Sequence, residues 1–321
     1  MTGTQRDRTD SAASPPGLMP EGEFRGIYEQ LRSHLPWGSD DRRGALNYLT
    51  QEEVRAALGE VKLGRTVSLA APVENWPSAD NPEPARHEMK EPLGADAGPG
   101  VFFGMDRIAM NIHGNADTHI DALCHVMFDG TLHNGLPAET VGENGAAVLS
   151  IDVAADGIVG RGVLLDIPRS RGVPWLEPGD SVTVDDVLAA EREQDIRAGR
   201  GDILCVRVGH RRRRNEEGPW DAAHARAGLH PSVLPVLAER QIAVLGGDGN
   251  NDTAPSPVAG VGFPVHVLAV NALGLHLIDY MQFTALASAC AEVGRWSFLC
   301  VIAPLRLPTG TGSPVNPIAV L

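Results

Sequence analysis

Apolar positions recur at helical spacing over residues 22–35 (GEFRGIYEQLRSHL), predicting an amphipathic helix. A second helix is predicted over Gln51–Glu60, opened by Thr50 and Glu53 in a capping box. The β-branched run in KLGRTVSLAAPVEN predicts a short strand. Residues 75–100, rich in Pro, Gly, Asp and Glu, predict a long loop, which in a compact enzyme is functional or mobile. Apolar runs punctuated by glycine over residues 141–168 predict short strands, and Thr183 or Asp185 opens a helix reaching roughly Ile196. GDILCVRVGH (201–210) is apolar throughout, as a strand buried on both faces is. Residues 211–228 predict a polar loop, and Pro231–Arg240 a short helix limited by Pro235. QIAVLGGDGNNDT predicts a strand ending in a turn, and Gly310–Gly312 (TGTGSP) a loop. His266 precedes an apolar, helix-like stretch that Gly274 breaks; LHLID then predicts a strand, Phe283–Val293 a helix and WSFLCVIAPLRL a buried strand. The alternation points to α/β layers.

Composition narrows the function classes. At 43% hydrophobic and 21% charged, the 321 residues are those of a globular chain with a full core. A net charge of −14 argues against nonspecific nucleic-acid binding and against an anionic membrane surface. The basic run Arg211–Arg214 sits beside Glu216 and Glu217 and reads as a solvated loop. No apolar stretch has the ~20 residues a membrane helix needs. Residues 1–22 are polar and lack an apolar signal core, so a disordered leader is expected, with one domain over 23–321. Cys124, Cys205, Cys290 and Cys300 sit singly in apolar surroundings, as buried free thiols do, and cytoplasm is the expected compartment.

The chemistry concentrates between Asn111 and Gly135, NIHGNADTHIDALCHVMFDGTLHNG, with four of the eleven histidines. Residues two apart on a strand share a face, so His119 and Asp121 can address one ion. The Gly114-Asn115 turn can fold His113 back towards the same point. Imidazole and carboxylate without a thiolate cluster suit Zn(II), Mn(II) or Fe(II). His133 reads as structural. In the turn GGDGNNDT, Asn250 and Asn251 read as turn residues, whereas Asp248 is left open between a turn role and an active-site role. His266 and Asp279 bracket a helix–turn–strand unit that can converge on one site. Trp76, Phe103 and Phe128 are candidate pocket-lining aromatics, Trp76 equally a packing anchor.

THIDALCH resembles the THxDAxxH signature of the cyclase-like metal-dependent hydrolases, the group containing bacterial kynurenine formamidase and isatin hydrolase. The resemblance runs from Trp37 onward through WGSDDRRGALN, RGVLLDIP, GDILCVRVG, VLGGDGNND and APLRLPTGTGSPVNPIAV. It implies an α/β fold of the swivelling β/β/α type, a homodimer or homotetramer, and one or two Zn or Mn ions per chain. It further implies His119, Asp121, His266 and Asp279 as metal ligands, with Asp121 able to bridge two ions, and His125 as the catalytic histidine. Two departures stand out. The smaller formamidases carry a histidine four residues before the second one, where this chain has Asn115; either His113 or Asn115 takes that place, or the site lacks a ligand. The later acid is Asp279 instead of a glutamate. The expected activity is hydrolysis of an amide, cyclic amide or lactone in a small-molecule substrate, with His125 as general base. The alternatives are a cyclase or lyase on the same metal, or a non-catalytic metal-stabilised binding protein.

Overall fold

The buried apolar runs of the sequence become strands of one mixed sheet. The computed structural model describes residues 18–33, 35–93, 100–101 and 103–321. Strands of three or more residues are, in chain order, β1 (Thr66–Ser68), β2 (Arg86–Leu93), β3 (Phe103–Ala109), β4 (His119–Asp121), β5 (Ile158–Asp166), β6 (Ile203–Arg207), β7 (Val244–Gly247), β8 (His276–Asp279), β9 (Ser297–Ile302), β10 (Gly312–Pro314) and β11 (Ile318–Val320). Nine of them form a sheet in the order β1-β11-β9-β5-β6-β7-β8-β4-β10. The middle, β5 to β8, is parallel, while β4 and β10 continue it antiparallel on one side. Every residue of β6, β7 and β8 is buried, and in β6 this explains the apolar run Ile203–Val206.

Helices α1 (Glu21–Ser33), α2 (Gln51–Leu58), α3 (Val184–Glu193), α4 (His210–Glu217), α5 (Leu234–Glu239) and α6 (Thr284–Val293) surround the sheet. The expected Thr50–Glu53 capping box forms, and of the two openings expected for α3 it is Thr183 that caps, in a box with Asp186. Helix α2 packs on β5, and α1 packs on a π-helix, Val267–Leu273, that continues the helical turn Pro264–His266. His266 therefore sits inside a helical unit instead of before it, and Gly274 ends the unit in the left-handed conformation.

Several expectations are corrected. The long loop of 75–100 contains β2, which pairs with β3 as a hairpin with a bulge between Lys90 and Leu93. The polar loop of 211–228 begins with helix α4, because its arginines find distant partners that composition cannot reveal. Arg211 donates to the carbonyls of Ala116 and Tyr280, and Arg214 pairs with Glu74 and Asp80. The TGTGSP segment supplies an edge strand, β10, instead of a loop throughout. Of the leader, residues 1–17 lie outside the described residues, as does His34. Met19 is already buried and bridges to Val258, so the chain is tied down before Phe24. All four cysteines are buried free thiols. Among the described residues no helix is long and apolar enough to cross a membrane.

Candidate metal centre

The site forms where the sheet turns antiparallel. Strand β4 lies between β8 and β10, with His119 opposite Asp279 on one side and Asp121 opposite Gly312 on the other. Opposite residues in a ladder share a face, so His119 and Asp279 are delivered together. Gly312 is required by His113: a Cβ at 312 would stand 2.7 Å from the imidazole Cε1 and 2.6 Å from the Ile120 carbonyl.

Asp121 is the centre of the cluster and is 1% exposed. His113 Nδ1 lies 2.9 Å from Asp121 Oδ1, and His119 Nε2 lies 3.7 Å from the same oxygen. His266 Nε2 is 3.4 Å from Asp121 Oδ2 and 3.5 Å from Asp279 Oδ2. The side chains make two overlapping donor groups, His113–His119–Asp121 and Asp121–His266–Asp279, each with its donor atoms within 4.8 Å of one another. Asp121 Oδ2 is buried and has no hydrogen-bond partner among the described residues. A buried carboxylate oxygen without a donor is costly, and a cation supplies what it lacks. The all-N/O donor set fits a divalent ion of the Zn, Mn or Fe type.

A second layer aims these ligands. His119 Nδ1 is 2.9 Å from the Asp117 carbonyl, leaving Nε2 directed at Asp121. Asp252, fully buried, lies 2.6 Å from His266 Nδ1 and accepts the backbone N–H groups of Val265 and His266. Asp279 accepts the side-chain amides of Asn250 and Asn251, each at 2.6 Å. The turn reading of these two asparagines is incomplete: Asn250 Oδ1 accepts the Asp252 N–H as a turn residue does, and both side-chain amides also hold the candidate ligand Asp279. Asp248 goes elsewhere, accepting the N–H groups of Val208 and Gly209 at 2.7 and 3.0 Å. In the metal-free protein, burial opposes the charging of His266, but Asp279, Asp121 and Asp252 outweigh it and push its pKa well up. Burial likewise opposes the ionisation of Asp121, and His125, His113, His266 and His119 reverse the sign, holding it well below the ordinary value.

The cluster opens on a cavity of about 500 Å³. His125 lines it, its ring stacked on His113 at 3.6 Å and 4°. Burial first of all pushes the His125 pKa down to about 4, so this imidazole is neutral at pH 7. Phe128 also lines the cavity, with the Arg25 guanidinium 5.5 Å from its ring centre. Trp76 and Phe103 are not brought there. Trp76 is 78% exposed beside the β2–β3 hairpin, and Phe103, 54% exposed, stands on the hairpin itself. His133 is buried with Nδ1 at 3.1 Å from the Asn271 carbonyl, a structural role. Sequence reasoning did not single out Glu21, Arg25 and Phe263, which complete the mouth, or Thr311, whose hydroxyl is 3.0 Å from His113 Nε2. Only the position of Thr311 in a Gly-Thr-Gly turn hinted at a close approach.

Comparison with known proteins bears on the family and the fold. The sequence profile of the cyclase family, described as "Putative cyclase", matches residues 61–251. A crystal structure described as a novel cyclase superposes with a TM-score of 0.82 at 31% identity, covering 92% of this chain and 99% of that one. Isatin hydrolase A from Labrenzia aggregata, bound to benzyl benzoate, superposes at 0.56 with 21% identity, covering 82% and 94%. Isatin hydrolase A from Ralstonia solanacearum does so at 0.54 with 20% identity, covering 84% and 97%. At these identities the two isatin hydrolases share the fold. No curated protein matches the chain by sequence. With its profile match spanning more than half the chain and a near full-length structural relative, this protein belongs to the cyclase family.

Proposed function

We propose that the protein is a metal-dependent hydrolase cleaving an amide, cyclic amide or lactone bond in a small-molecule substrate. The observation that carries this reading is Asp121, shared by two donor groups and with one orphaned oxygen, whose partners His113, His119, His266 and Asp279 line a cavity that also holds an uncommitted imidazole. His113, His119, Asp121, His266 and Asp279 would hold one or two divalent ions. Bound there, Zn or Mn supplies Lewis acidity, lowering the pKa of water towards ~7 and polarising a carbonyl.

The chain supplies the rest. Among the described residues His125 has no side-chain hydrogen-bond partner, and it is neutral at working pH. Its ring can therefore take the proton of the attacking water as the new C–O bond forms. When the C–N or C–O bond breaks, the same ring returns that proton to the leaving nitrogen or oxygen. The products are a carboxylic acid and an amine or alcohol, joined in one molecule if the substrate was cyclic. Apolar walls from Val126, Phe128, Val261 and Phe263 exclude water around the substrate body.

The test is turnover of phenyl acetate, dihydrocoumarin and isatin by metal-loaded protein in H₂¹⁸O. The expected result is label in the product carboxylate. Product without label would favour a lyase or cyclase on the same site, and no turnover at full metal loading would favour a binding protein.

A further inference from the structure

The polar groups at the inner end of the cavity are nearly all committed. His113, His119 and His266 have their ring nitrogens engaged or aimed at Asp121. The Asn250 amide spends Nδ2 on Asp279 and Oδ1 on the N–H of Asp252. Two groups remain: the His125 imidazole and the amide nitrogen of Asn115, which lines the cavity and has no partner among the described residues.

The orientation of the Asn115 amide is fixed by Tyr280. The phenol oxygen of this fully buried tyrosine lies 3.0 Å from Asn115 Oδ1. A buried hydroxyl proton must find an acceptor, and no other acceptor stands at that oxygen among the described residues. The Tyr280 O–H thus donates to the amide oxygen. The reversed amide would leave that proton stranded, so the NH₂ group is the end presented to the cavity. Tyr280 is itself immobilised, following Asp279 directly in a left-handed conformation (φ 55°). Its N–H donates to the Gly249 carbonyl, and its carbonyl accepts the Thr118 hydroxyl and the Arg211 guanidinium.

We infer that Asn115 is a catalytic residue: its Tyr280-oriented amide N–H donates to the substrate carbonyl oxygen and strengthens that bond as the oxygen gains charge on addition of water. This inference rests on the hydrolase reading above. It also assigns position 115 a role other than metal ligation, a role His113 fills instead.

The experiment compares wild type, Asn115→Ala and Tyr280→Phe on whichever of phenyl acetate, dihydrocoumarin or isatin the metal-loaded wild type turns over fastest. Metal content, kcat and KM are read for each. Removal of a preorganised oxyanion donor lowers kcat by ~10²–10³-fold, so Asn115→Ala should lose about that with KM and metal content little changed. Tyr280→Phe, which frees the amide without deleting it, should show a smaller loss confined to kcat. Unchanged kcat in Asn115→Ala overturns the inference, and so does loss of metal from that variant, which would make Asn115 a ligand. Should Asn115→Ala fail to fold, Tyr280→Phe decides: a kcat equal to wild type overturns the inference. If the wild type, fully metal-loaded, turns over none of the three, the hydrolase reading fails and this inference with it. A deficit confined to the variants cannot be mistaken for that outcome.

Discussion

The segment after β7 feeds two carboxylate clusters with opposite characters. Its first acid, Asp248, turns towards the ends of β5 and β6, where Asp166 pairs with Arg207 at 2.6 Å and Asp248 caps two backbone N–H groups. Its later residues, Asn250, Asn251 and Asp252, turn towards β4 and β8 and hold Asp279 and His266. Both clusters are buried and centred on aspartates, the first beside an arginine and the second among imidazoles. In the first, both oxygens of Asp248 receive a donor. In the second, Asp121 Oδ1 has His113 Nδ1 at 2.9 Å, but Oδ2 receives no donor, His266 Nε2 standing 3.4 Å away, beyond good hydrogen-bond range. A satisfied buried carboxylate is structural; an under-satisfied one facing neutralisable imidazoles is a place for a cation.

Substitutions on the two sides should separate cleanly. The largest effect on turnover with metal retained should come from His125→Ala, about 10²–10⁴-fold, the usual share of a positioned acid–base group. Steady-state rates beside elemental analysis check this, and unchanged turnover would remove His125 from the chemistry. Next, Asp252→Asn should weaken metal binding ~10–100-fold by loosening His266, read by chelator competition. Equal affinity would mean that the Asp252 contact does not set the ligand.

Asp248→Asn should leave metal content alone and cost about 1–3 kcal/mol of stability, since one amide oxygen cannot serve both N–H groups. A pH-dependent difference of comparable order accompanies it. Burial pushes the Asp248 pKa up to about 6, above its unfolded value. A raised folded-state pKa contributes stability that is fully present below the unfolded value of ~3.9 and lost as pH rises through about 6. Denaturant midpoints of the chelator-stripped proteins should thus show wild type losing ground to Asp248→Asn between pH 4 and pH 7. A constant difference would mean that Asp248 stays ionised throughout.

The legible and illegible parts of the sequence divide by range. His119 and Asp121 were readable because strand periodicity puts them on one face, and the start of α2 because Thr50–Glu53 is a local signal; that of α3 was narrowed to Thr183 or Asp185. His266 and Asp279 were read as bracketing one helix–turn–strand unit, the resemblance gave them and His125 their roles, and the structure brings all three to one cavity wall. What stayed hidden depends on long-range partners. Helix α4 exists where its arginines meet Ala116, Tyr280, Glu74 and Asp80. Asn250 and Asn251 carry perfect turn chemistry locally, and only the arrival of Asp279 from β8 shows what their amides do. The β2–β3 hairpin was masked by its Pro- and Gly-rich surroundings, and with it the position of Phe103 away from the cavity.

The most direct test is metal stoichiometry by elemental analysis of the wild type, Asp121→Ala and Asp248→Asn, each purified without added metal and again after reconstitution. One or two Zn or Mn per chain are expected in the wild type and in Asp248→Asn, with loss of the metal from Asp121→Ala. A wild type that holds no metal even after reconstitution, or an Asp121→Ala variant that keeps its full complement, would contradict this expectation.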